Sequence, residues 1–233
     1  MRYRPLALNL SVSLNLVACA LFLGGWIGPN LQTSFNPTVD HPLVPATTTV
    51  HPLASVIGSV DLGERVFVAP FASIRGDEGQ NIRIGSDSNV QDGAVIHGLE
   101  TFDNGRELSE NQVEVERVKY SVHIGRRVSL AHQSQVHGPA RVGDDTFVGM
   151  QSLVFRSQIG SHVVIEPGAK VIGVTIPDRR YVPTMAVVTT QAEADALPVI
   201  TEQYTYRTLN HGVIHVNTQL ADRQTAKRLF RAE

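Results

Sequence analysis

Three histidines of this chain have the side-chain type and the spacing that a metal site needs. His132 and His137 lie five residues apart in the segment SLAHQSQVH, and His97 lies upstream in QDGAVIHGLE. Imidazole nitrogens are common ligands for zinc and other divalent transition metals. The single cysteine, Cys19, lies in an apolar N-terminal run, which excludes a cysteine nucleophile, a disulfide framework and thiolate ligands in the rest of the chain. A metal site there must use histidine and carboxylate.

A repeat of six residues predicts how these histidines are positioned. Branched aliphatic residues recur every six positions in three runs, and glycine follows several of them. The runs are Leu62, Val68 and Ile74; Ile84, Val90 and Ile96; and Ile124, Leu130, Val136, Val142, Val148 and Val154. A helix repeats at three and four residues and a half-buried strand at two, whereas six is typical of a hexapeptide β-solenoid. We predict a mainly β fold, a parallel β-helix with three hexads in each triangular coil, rather than a β-sandwich.

His97 and His137 hold the same position in their hexads, directly after the aliphatic residue. An excursion of 22 residues, expected at Leu99–Tyr120, interrupts the repeat between them without shifting its phase. Without that excursion the two histidines are one coil of about 18 residues apart. We therefore expect their imidazoles to lie side by side on neighbouring coils, as two ligands of one metal must.

His132 occupies a different position in its hexad, two residues after Leu130, and is expected nearly one triangle side away from His137. It cannot easily reach the same ion within one chain. In a trimer of parallel solenoids the side of one chain faces the edge of the next, so His132 and His137 would serve adjacent interfaces. The remaining histidines His123, His162, His211 and His215 show no such relation, and we assign them no role.

Several segments resemble the gamma-class carbonic anhydrases over about residues 53–220. They are SVIGSV, FASIRGDEG, SNVQDGAVIHGLE, SLAHQSQVHGPARVGDDTFVGMQ and IGVTIP, with QAEADALP and VIHVN in the tail. The resemblance implies a left-handed β-helix that forms a homotrimer and binds zinc, or iron(II), at each subunit interface. His97 and His137 would come from one chain and His132 from its neighbour. The implied reaction is the hydration of carbon dioxide to bicarbonate by a metal-bound hydroxide.

The resemblance also implies roles for four residues around the metal. Arg75 and Asp77 in SIRGDEG match an interface pair that ties subunits together, although an ordinary surface salt bridge is the alternative. Gln91 in SNVQDG matches a residue that hydrogen-bonds the metal-bound hydroxide. Asn89 would orient the side chain of Gln91 without contacting the metal site itself.

Three further residues match positions that serve substrate and proton. Glu78 resembles a carboxylate suited to proton transfer, and Glu100 in HGLE resembles a mobile proton shuttle, although acids on a long loop can also be merely solvated. Asn217 in VIHVN resembles a residue that positions carbon dioxide, with capping or packing of a helix as its alternative. The loop TFDNGREL departs from the family pattern, so no second shuttle is assigned.

The ends of the chain have different compositions from the repeat. Two arginines precede an apolar run in residues 1–28, which indicates a signal peptide or a membrane anchor and hence export to the periplasm or beyond. Residues 29–52 are rich in Pro and Thr and read as a linker. We place the catalytic β-helix at 53–190 and a helical segment at 191–233, with a short helix in QAEADALP and a longer one from about 217 to 230.

Three functions compete on the sequence. An active, exported carbonic anhydrase is favoured. A hexapeptide acyltransferase shares the solenoid but does not need the coil register of His97 and His137. An inactive scaffold of the same fold would not need to retain all three histidines together with Arg75, Gln91 and Glu100. The net charge of −2 gives no basic surplus for nucleic acid.

Overall fold

Short parallel strands wind into a β-helix in the computed structural model, which describes residues 26–229. Three sheets form the sides of the triangular solenoid. Sheet A contains β1 (Trp26–Gly28), β3 (Ser55–Gly58), β6 (Ser73–Gly76), β9 (Val95–His97), β16 (Gln135–His137), β19 (Leu153–Phe155), β22 (Lys170–Ile172) and β25 (Val187–Val188). Sheet B contains β4 (Val60–Leu62), β7 (Ile82–Ile84), β14 (Val122–Ile124), β17 (Ala140–Val142), β20 (Gln158–Ile159) and β23 (Thr175–Ile176). Sheet C contains β2 (Thr49–Val50), β5 (Phe67–Val68), β8 (Asn89–Val90), β15 (Ser129–Leu130), β18 (Phe147–Val148), β21 (Val164–Ile165) and β24 (Tyr181–Val182).

The aliphatic residues of the repeat form the core as three registered columns, one for each sheet. Along sheet B the backbone pairing aligns Leu62, Ile84, Ile124, Val142, Ile159 and Ile176. All six are buried, as are the matching columns in sheets A and C apart from Ile27 of β1. Burying one such side chain stabilises the fold by about 1.5–3 kcal/mol, so the stacked columns are the main source of stability. The predicted parallel β-helix is confirmed.

Two interruptions leave these columns in phase. Between Ile74 and Ile84 the chain carries four extra residues, Asp77–Gln80. Between β9 and β14 lies the predicted excursion, which folds into two antiparallel hairpins, β10 (Phe102–Asp103) with β11 (Arg106–Glu107) and β12 (Val113–Val115) with β13 (Val118–Tyr120). A 3-10 turn, Ser109–Asn111, connects the hairpins. Both interruptions lie at the corner between sheets A and B, where added residues need not displace a strand.

Two helices follow the last coil, as predicted for the tail; the short one packs against β23 of sheet B and the long one covers sheet C. Helix α1 (Gln191–Asp195) begins with a capping box between Thr190 and Glu193. Helix α2 (Leu209–Leu229) begins eight residues earlier than the expected start at Asn217. Ala221 of α2 is buried against Phe67 and Ala69 on the outer face of sheet C. The helix therefore closes a flank of the solenoid that would otherwise be apolar and open.

The N-terminal boundary differs from the one expected from composition. Strand β2 hydrogen-bonds to β5, so the solenoid begins before residue 53. Strand β1 extends sheet A by pairing with β3, and the buried Asn30 ties the following segment together through bonds to the carbonyl of Thr38 and from the amide of Asp40. The leader prediction otherwise falls outside the described residues. In the part of the chain described, no helix has the length and apolarity to cross a membrane.

Candidate metal centre

His97 and His137 lie side by side where two neighbouring strands of sheet A end. Their Cα atoms are register partners across β9 and β16, which confirms the predicted stacking on adjacent coils. Nδ1 of His97 is 3.4 Å from Nε2 of His137, and the two rings meet edge to face with centroids 5.2 Å apart. The ring of Phe155, one strand further along, packs against His137 at 5.5 Å.

In each of the two imidazoles, a hydrogen bond to the nitrogen that faces away from the other ring favours a lone pair on the nitrogen that faces it. Nδ1 of His137 lies 3.3 Å from the carbonyl oxygen of Gly138, which can only accept, so the proton belongs on Nδ1 and Nε2 is free. Nε2 of His97 lies 3.1 Å from Oδ1 of Asp77 and also 3.1 Å from Nη2 of Arg75. We assign the His97 proton to Nε2, because an ionised carboxylate is the stronger partner. Two lone pairs then face each other across 3.4 Å.

The two acids beside His97, Asp77 and Glu78, have pKa values that are shifted in opposite directions. Burial alone would raise the pKa of Asp77, but its hydrogen bond to His97 and the nearby Arg75 guanidinium, which donates to it at 3.1 Å, lower that pKa overall. The pKa of Glu78 is raised, first by burial and then by repulsion from Asp77 and Glu100, against the attraction of His97. The site therefore favours the ionised form of Asp77 and disfavours the ionised form of Glu78.

The histidine pair fits a tetrahedral divalent ion. Zinc binds imidazole nitrogens at about 2.0–2.1 Å, and tetrahedral angles at that distance place two ligand nitrogens about 3.4 Å apart. The nitrogens of His97 and His137 have that separation. Burial lowers the pKa of His137, which keeps its imidazole neutral as a ligand must be. Asp77 supplies the carboxylate partner that commonly orients a metal-binding histidine.

Glu100 lies next to Glu78 at the mouth of a separate cavity. The two carboxylates line a space of about 370 Å³ together with Phe35 and Phe102. Glu100 is exposed, while its backbone carbonyl is held by the side-chain amide of Asn111 at 2.8 Å. Glu78 and Glu100 thus share one cavity, and Glu100 is the more exposed of the two.

His132 occupies the opposite corner of the coil. It follows β15 of sheet C, is exposed, and pairs through Nδ1 with Asp92 at 3.1 Å. It lines a cavity of about 600 Å³ that does not include His97 or His137. Within the described part of one chain, no group of three or more His, Cys, Asp or Glu side chains is arranged to hold a metal. One chain brings two of the three predicted ligands together and leaves the third elsewhere.

Gln91 lines the same cavity as His132 and is largely buried. Its Nε2 donates to Oδ1 of Asn89 at 2.9 Å, and the buried Asn89 donates to Oγ of Ser129 at 3.0 Å. Ser129, which the sequence analysis did not single out, therefore completes the chain of hydrogen bonds. These hydrogen bonds use the side-chain N–H of Gln91 as a donor. The side-chain carbonyl oxygen of Gln91 therefore remains available to a ligand.

Asn217 reaches this cavity from helix α2. Its Nδ2 donates to the carbonyl of Val213 one turn earlier at 2.9 Å, which leaves one N–H and the side-chain oxygen unused by that bond. The rest of the lining is largely apolar and comes from sheet C and the helix. Its apolar side chains are those of Phe67, Ala69, Leu209, Val213, Val216 and Leu220, and Asp92, Thr208 and Gly212 complete it.

The sequence analysis missed the contribution of the N-terminal segment. Trp26, Leu31 and Phe35 line an apolar cavity of about 460 Å³ whose far wall contains Arg75, Asp77 and Glu78. The composition of this segment resembles a linker, and its pairing partner β3 lies more than twenty residues downstream. The sequence does carry one signal there, because Val44 and Val50 continue the six-residue spacing of the aliphatic residues.

Comparison with known proteins shows what this chain is similar to. No protein-family model matches the chain. The chain is 53% identical over 197 residues to the carbonic anhydrase of Methanosarcina thermophila, covering 84% of this chain and 80% of that protein. It is 42% identical over 171 residues to the carboxysome assembly protein CcmM of Nostoc, covering 73% of this chain and 29% of that protein. A solved structure of a putative acetyltransferase from Bacillus cereus aligns with a TM-score of 0.60 at 19% identity, over 80% of this chain and 93% of that one.

The three parallel sheets define a left-handed hexapeptide-repeat β-helix. The registered pair of His97 and His137 forms a histidine site at one of its corners. The likeness to the acetyltransferase shows that fold alone. The identity and coverage shared with the Methanosarcina protein are more specific. This chain belongs to the gamma-class carbonic anhydrase family.

Proposed function

We propose that this protein catalyses the reversible hydration of carbon dioxide to bicarbonate and a proton, at a metal site shared between two chains. The observation that carries the proposal is the registered pair of His97 and His137, whose facing nitrogens have the separation of two ligands on one ion. The third ligand would be His132 of the partner subunit. The likeness to a carbonic anhydrase over most of both chains supports this assignment.

The metal we propose is zinc, or iron(II) in a reducing environment. A set of neutral imidazoles suits either ion, and zinc accepts it without a redox role. When bound, the ion supplies Lewis-acid activation of water near neutral pH. The protein residues then have three tasks, which are to orient the attacking oxygen, to hold carbon dioxide and to remove a proton.

Gln91 is placed to orient the attacking oxygen. The donation from Gln91 to Asn89 leaves the Gln91 carbonyl as an acceptor, and burial of Asn89 prevents the pair from rotating freely. An acceptor fixed in this way aligns the O–H of the nucleophile and directs its lone pair towards substrate. The hydrogen bond from Asn89 to Ser129 stabilises that arrangement.

The cavity beside Gln91 suits carbon dioxide because most of its wall is apolar. Carbon dioxide carries no net charge and no hydrogen to donate, so an apolar wall with one amide N–H favours it over water. Asn217 supplies such an N–H, and Phe67 and Val213 supply the wall.

Glu78 and Glu100 are placed to remove the proton. Glu78 lies 3.5 Å from Nε2 of His97, and burial raises its pKa, which makes it a better proton acceptor than an ordinary carboxylate. The exposed Glu100 can then pass that proton to buffer. Asp77 cannot do this because its pKa is lowered, so it orients His97 and pairs with Arg75.

Metal analysis together with a carbon dioxide hydration assay tests the proposal. The purified protein should contain about one divalent ion per chain and should lose both the ion and its activity on chelation. His137→Ala should lose at least tenfold in metal affinity while retaining the far-ultraviolet circular dichroism of the solenoid. His162→Ala, which changes an exposed histidine at another corner, is the matched control. Full activity in the chelated protein would refute the proposed function.

We also propose that the protein is exported and works outside the cytoplasmic membrane, on the basis of its basic start and apolar run. Fractionation of cells that express the full chain would test this proposal. Recovery of the intact protein only from the cytoplasm would contradict it. A retained leader would hold the protein at the membrane, and mass spectrometry of its N-terminus would distinguish retention from cleavage or lipidation at Cys19.

A further inference from the structure

A row of basic side chains crosses the outer face of sheet B, away from both corners that hold the predicted ligands. Backbone pairing aligns Arg83, His123 and Arg141 on three consecutive strands. Neighbouring strands are about 4.8 Å apart, so an imidazole lies between two guanidinium groups. No assigned role of the metal centre uses any of the three.

The hairpin of β12 and β13 turns this row into a cavity. Tyr120 and Val118 of the hairpin and Arg126 of the next corner complete the lining around the row, and the enclosed volume is about 470 Å³. The ring of Tyr120 packs on His123 with centroids 5.0 Å apart. Space of this size holds a small ligand together with several waters.

The charges around the cavity leave one guanidinium unpaired. Arg83 pairs with Asp61 at 2.8 Å, and Arg126 pairs with Asp144 at 3.2 Å. The guanidinium of Arg141, by contrast, has no ion-pair or hydrogen-bond partner among the residues that the structure describes. Asp144 and Glu116 are the acids in the lining, and Asp144 is already engaged.

His123 presents an N–H donor between the two arginines. Its Nδ1 is buried and makes no hydrogen bond to any described residue. A buried acceptor without a partner is tolerated better than a buried donor, so the proton belongs on Nε2, the nitrogen that is not buried. Burial, followed by Arg141 and Arg83, lowers the pKa of His123, which keeps the ring neutral with a single N–H.

We propose that this cavity binds a small oxyanion, with Arg141 and His123 as its principal ligands and Arg83 contributing the donors that Asp61 does not use. A guanidinium fork matches two oxygens of a carboxylate-like or phosphate-like anion, and an imidazole N–H beside it supplies a third donor. Bicarbonate and inorganic phosphate share this chemistry. The proposal does not depend on the proposed catalytic function, because its residues are separate from the metal centre.

Equilibrium dialysis of the full-length chain against radiolabelled inorganic phosphate, at constant ionic strength in chloride, tests the proposal. We expect saturable binding that Arg141→Gln weakens about tenfold, because one charge-assisted hydrogen-bonding group is lost. His123→Phe should weaken it as well. Arg106→Gln removes the same charge from the exposed hairpin strand β11 and is the control, expected to change binding less than about twofold.

Competition with bicarbonate identifies the source of the oxyanion. Displacement of phosphate by bicarbonate at lower concentration would make bicarbonate the ligand, and resistance to displacement would make it phosphate; both results support the site. Binding that is absent, or that Arg141→Gln and Arg106→Gln weaken equally, would overturn the proposal, since only general charge attraction would then remain.

Discussion

The imidazole of His97 contacts two kinds of partner through its two nitrogens. One nitrogen faces His137, and the other lies within 3.5 Å of both Asp77 and Glu78. The same ring thus joins the proposed ion to the proposed route for the proton. Because the pKa of Asp77 is lowered and that of Glu78 is raised, the proposed mechanism assigns orientation of His97 to Asp77 and proton transfer to Glu78.

Replacing Glu100 tests the outer end of that route. Glu100→Ala should lower kcat roughly tenfold or more and change kcat/KM much less, because proton release follows the attack on carbon dioxide. Small imidazole-type buffers should restore much of the lost kcat in stopped-flow hydration assays. Glu114→Ala, an exposed acid of the same excursion, should have little effect. An equal fall in both parameters without buffer rescue would place Glu100 in binding rather than proton transfer.

Individual residues were predictable from the sequence to different degrees. The stacking of His97 with His137 follows from the repeat because the backbone pairing is periodic. The contacts of Asp77 and Glu78 with His97 do not, because they depend on four residues inserted at a corner. The row of Arg83, His123 and Arg141 was missed, although their spacings of 40 and 18 residues are those of residues on neighbouring coils.

At the scale of elements, the C-terminal segment is joined to the last coils by a polar contact as well as by packing. Tyr204, between the two helices, stacks on Tyr181 of β24 with ring centroids 4.1 Å apart. Its hydroxyl donates to Glu166 at 2.8 Å, and Glu166 also accepts from the amide and hydroxyl of Thr184. Burial would raise the pKa of Glu166, but these hydrogen bonds lower it overall.

Removing that hydroxyl should change both stability and its pH dependence. Because the pKa of Glu166 is lower in the folded than in the unfolded protein, its stabilising effect is present above the unfolded value of about 4.5 and is lost as the pH falls through the folded value. Tyr204→Phe should therefore reduce the free energy of unfolding by about 1–2 kcal/mol at pH 7. The deficit should shrink below about pH 4.

Denaturant unfolding at the two pH values measures this effect. Tyr206→Phe is the matched control, because Tyr206 is 45% exposed and, unlike Tyr204, does not donate to Glu166. A deficit that is the same at both pH values would show that Glu166 is not the group responsible.

Strands whose pairing partners lie one coil away in the sequence were predictable, and strands without such partners were missed. The columns of sheets A, B and C follow from the hexads. Strand β1 and the four strands of the two hairpins are each two or three residues long. No repeat and little alternation of polar and apolar residues marks them in the sequence. Helix α2 was found but placed too late, because its first two turns contain Gly212 and several polar residues.

At the scale of the whole molecule, the proposed active site is divided between the two corners that flank sheet A. One corner carries His97 and His137, and the other carries His132 with Gln91. A ring of three chains would bring unlike corners together at each interface and would leave sheet B, with its proposed oxyanion cavity, facing outward. Such a contact is heterologous and closes after three copies.

Mixing two inactive variants tests this arrangement. His97→Ala retains His132, and His132→Ala retains His97 and His137, so some interfaces of a mixed trimer would contain all three histidines. Co-refolding equal amounts should restore about a quarter of the wild-type sites, as random assembly in a three-membered ring requires. Sedimentation equilibrium should give three chains per particle. Absence of any recovered activity in verified mixed trimers would place the whole site within one chain.

The register of β9 and β16 also determines which rearrangements of this gene product preserve its chemistry. The excursion that joins them lies at a corner, so an exchanged or longer loop leaves the imidazoles of His97 and His137 on adjacent strands. A duplicated coil between them would be harmless to the solenoid, which grows by adding coils. It would nevertheless move the two rings to about 10 Å, twice the strand spacing, and beyond the reach of one ion. Loop exchange is therefore open to evolution and design at this position, whereas lengthening of the solenoid is not.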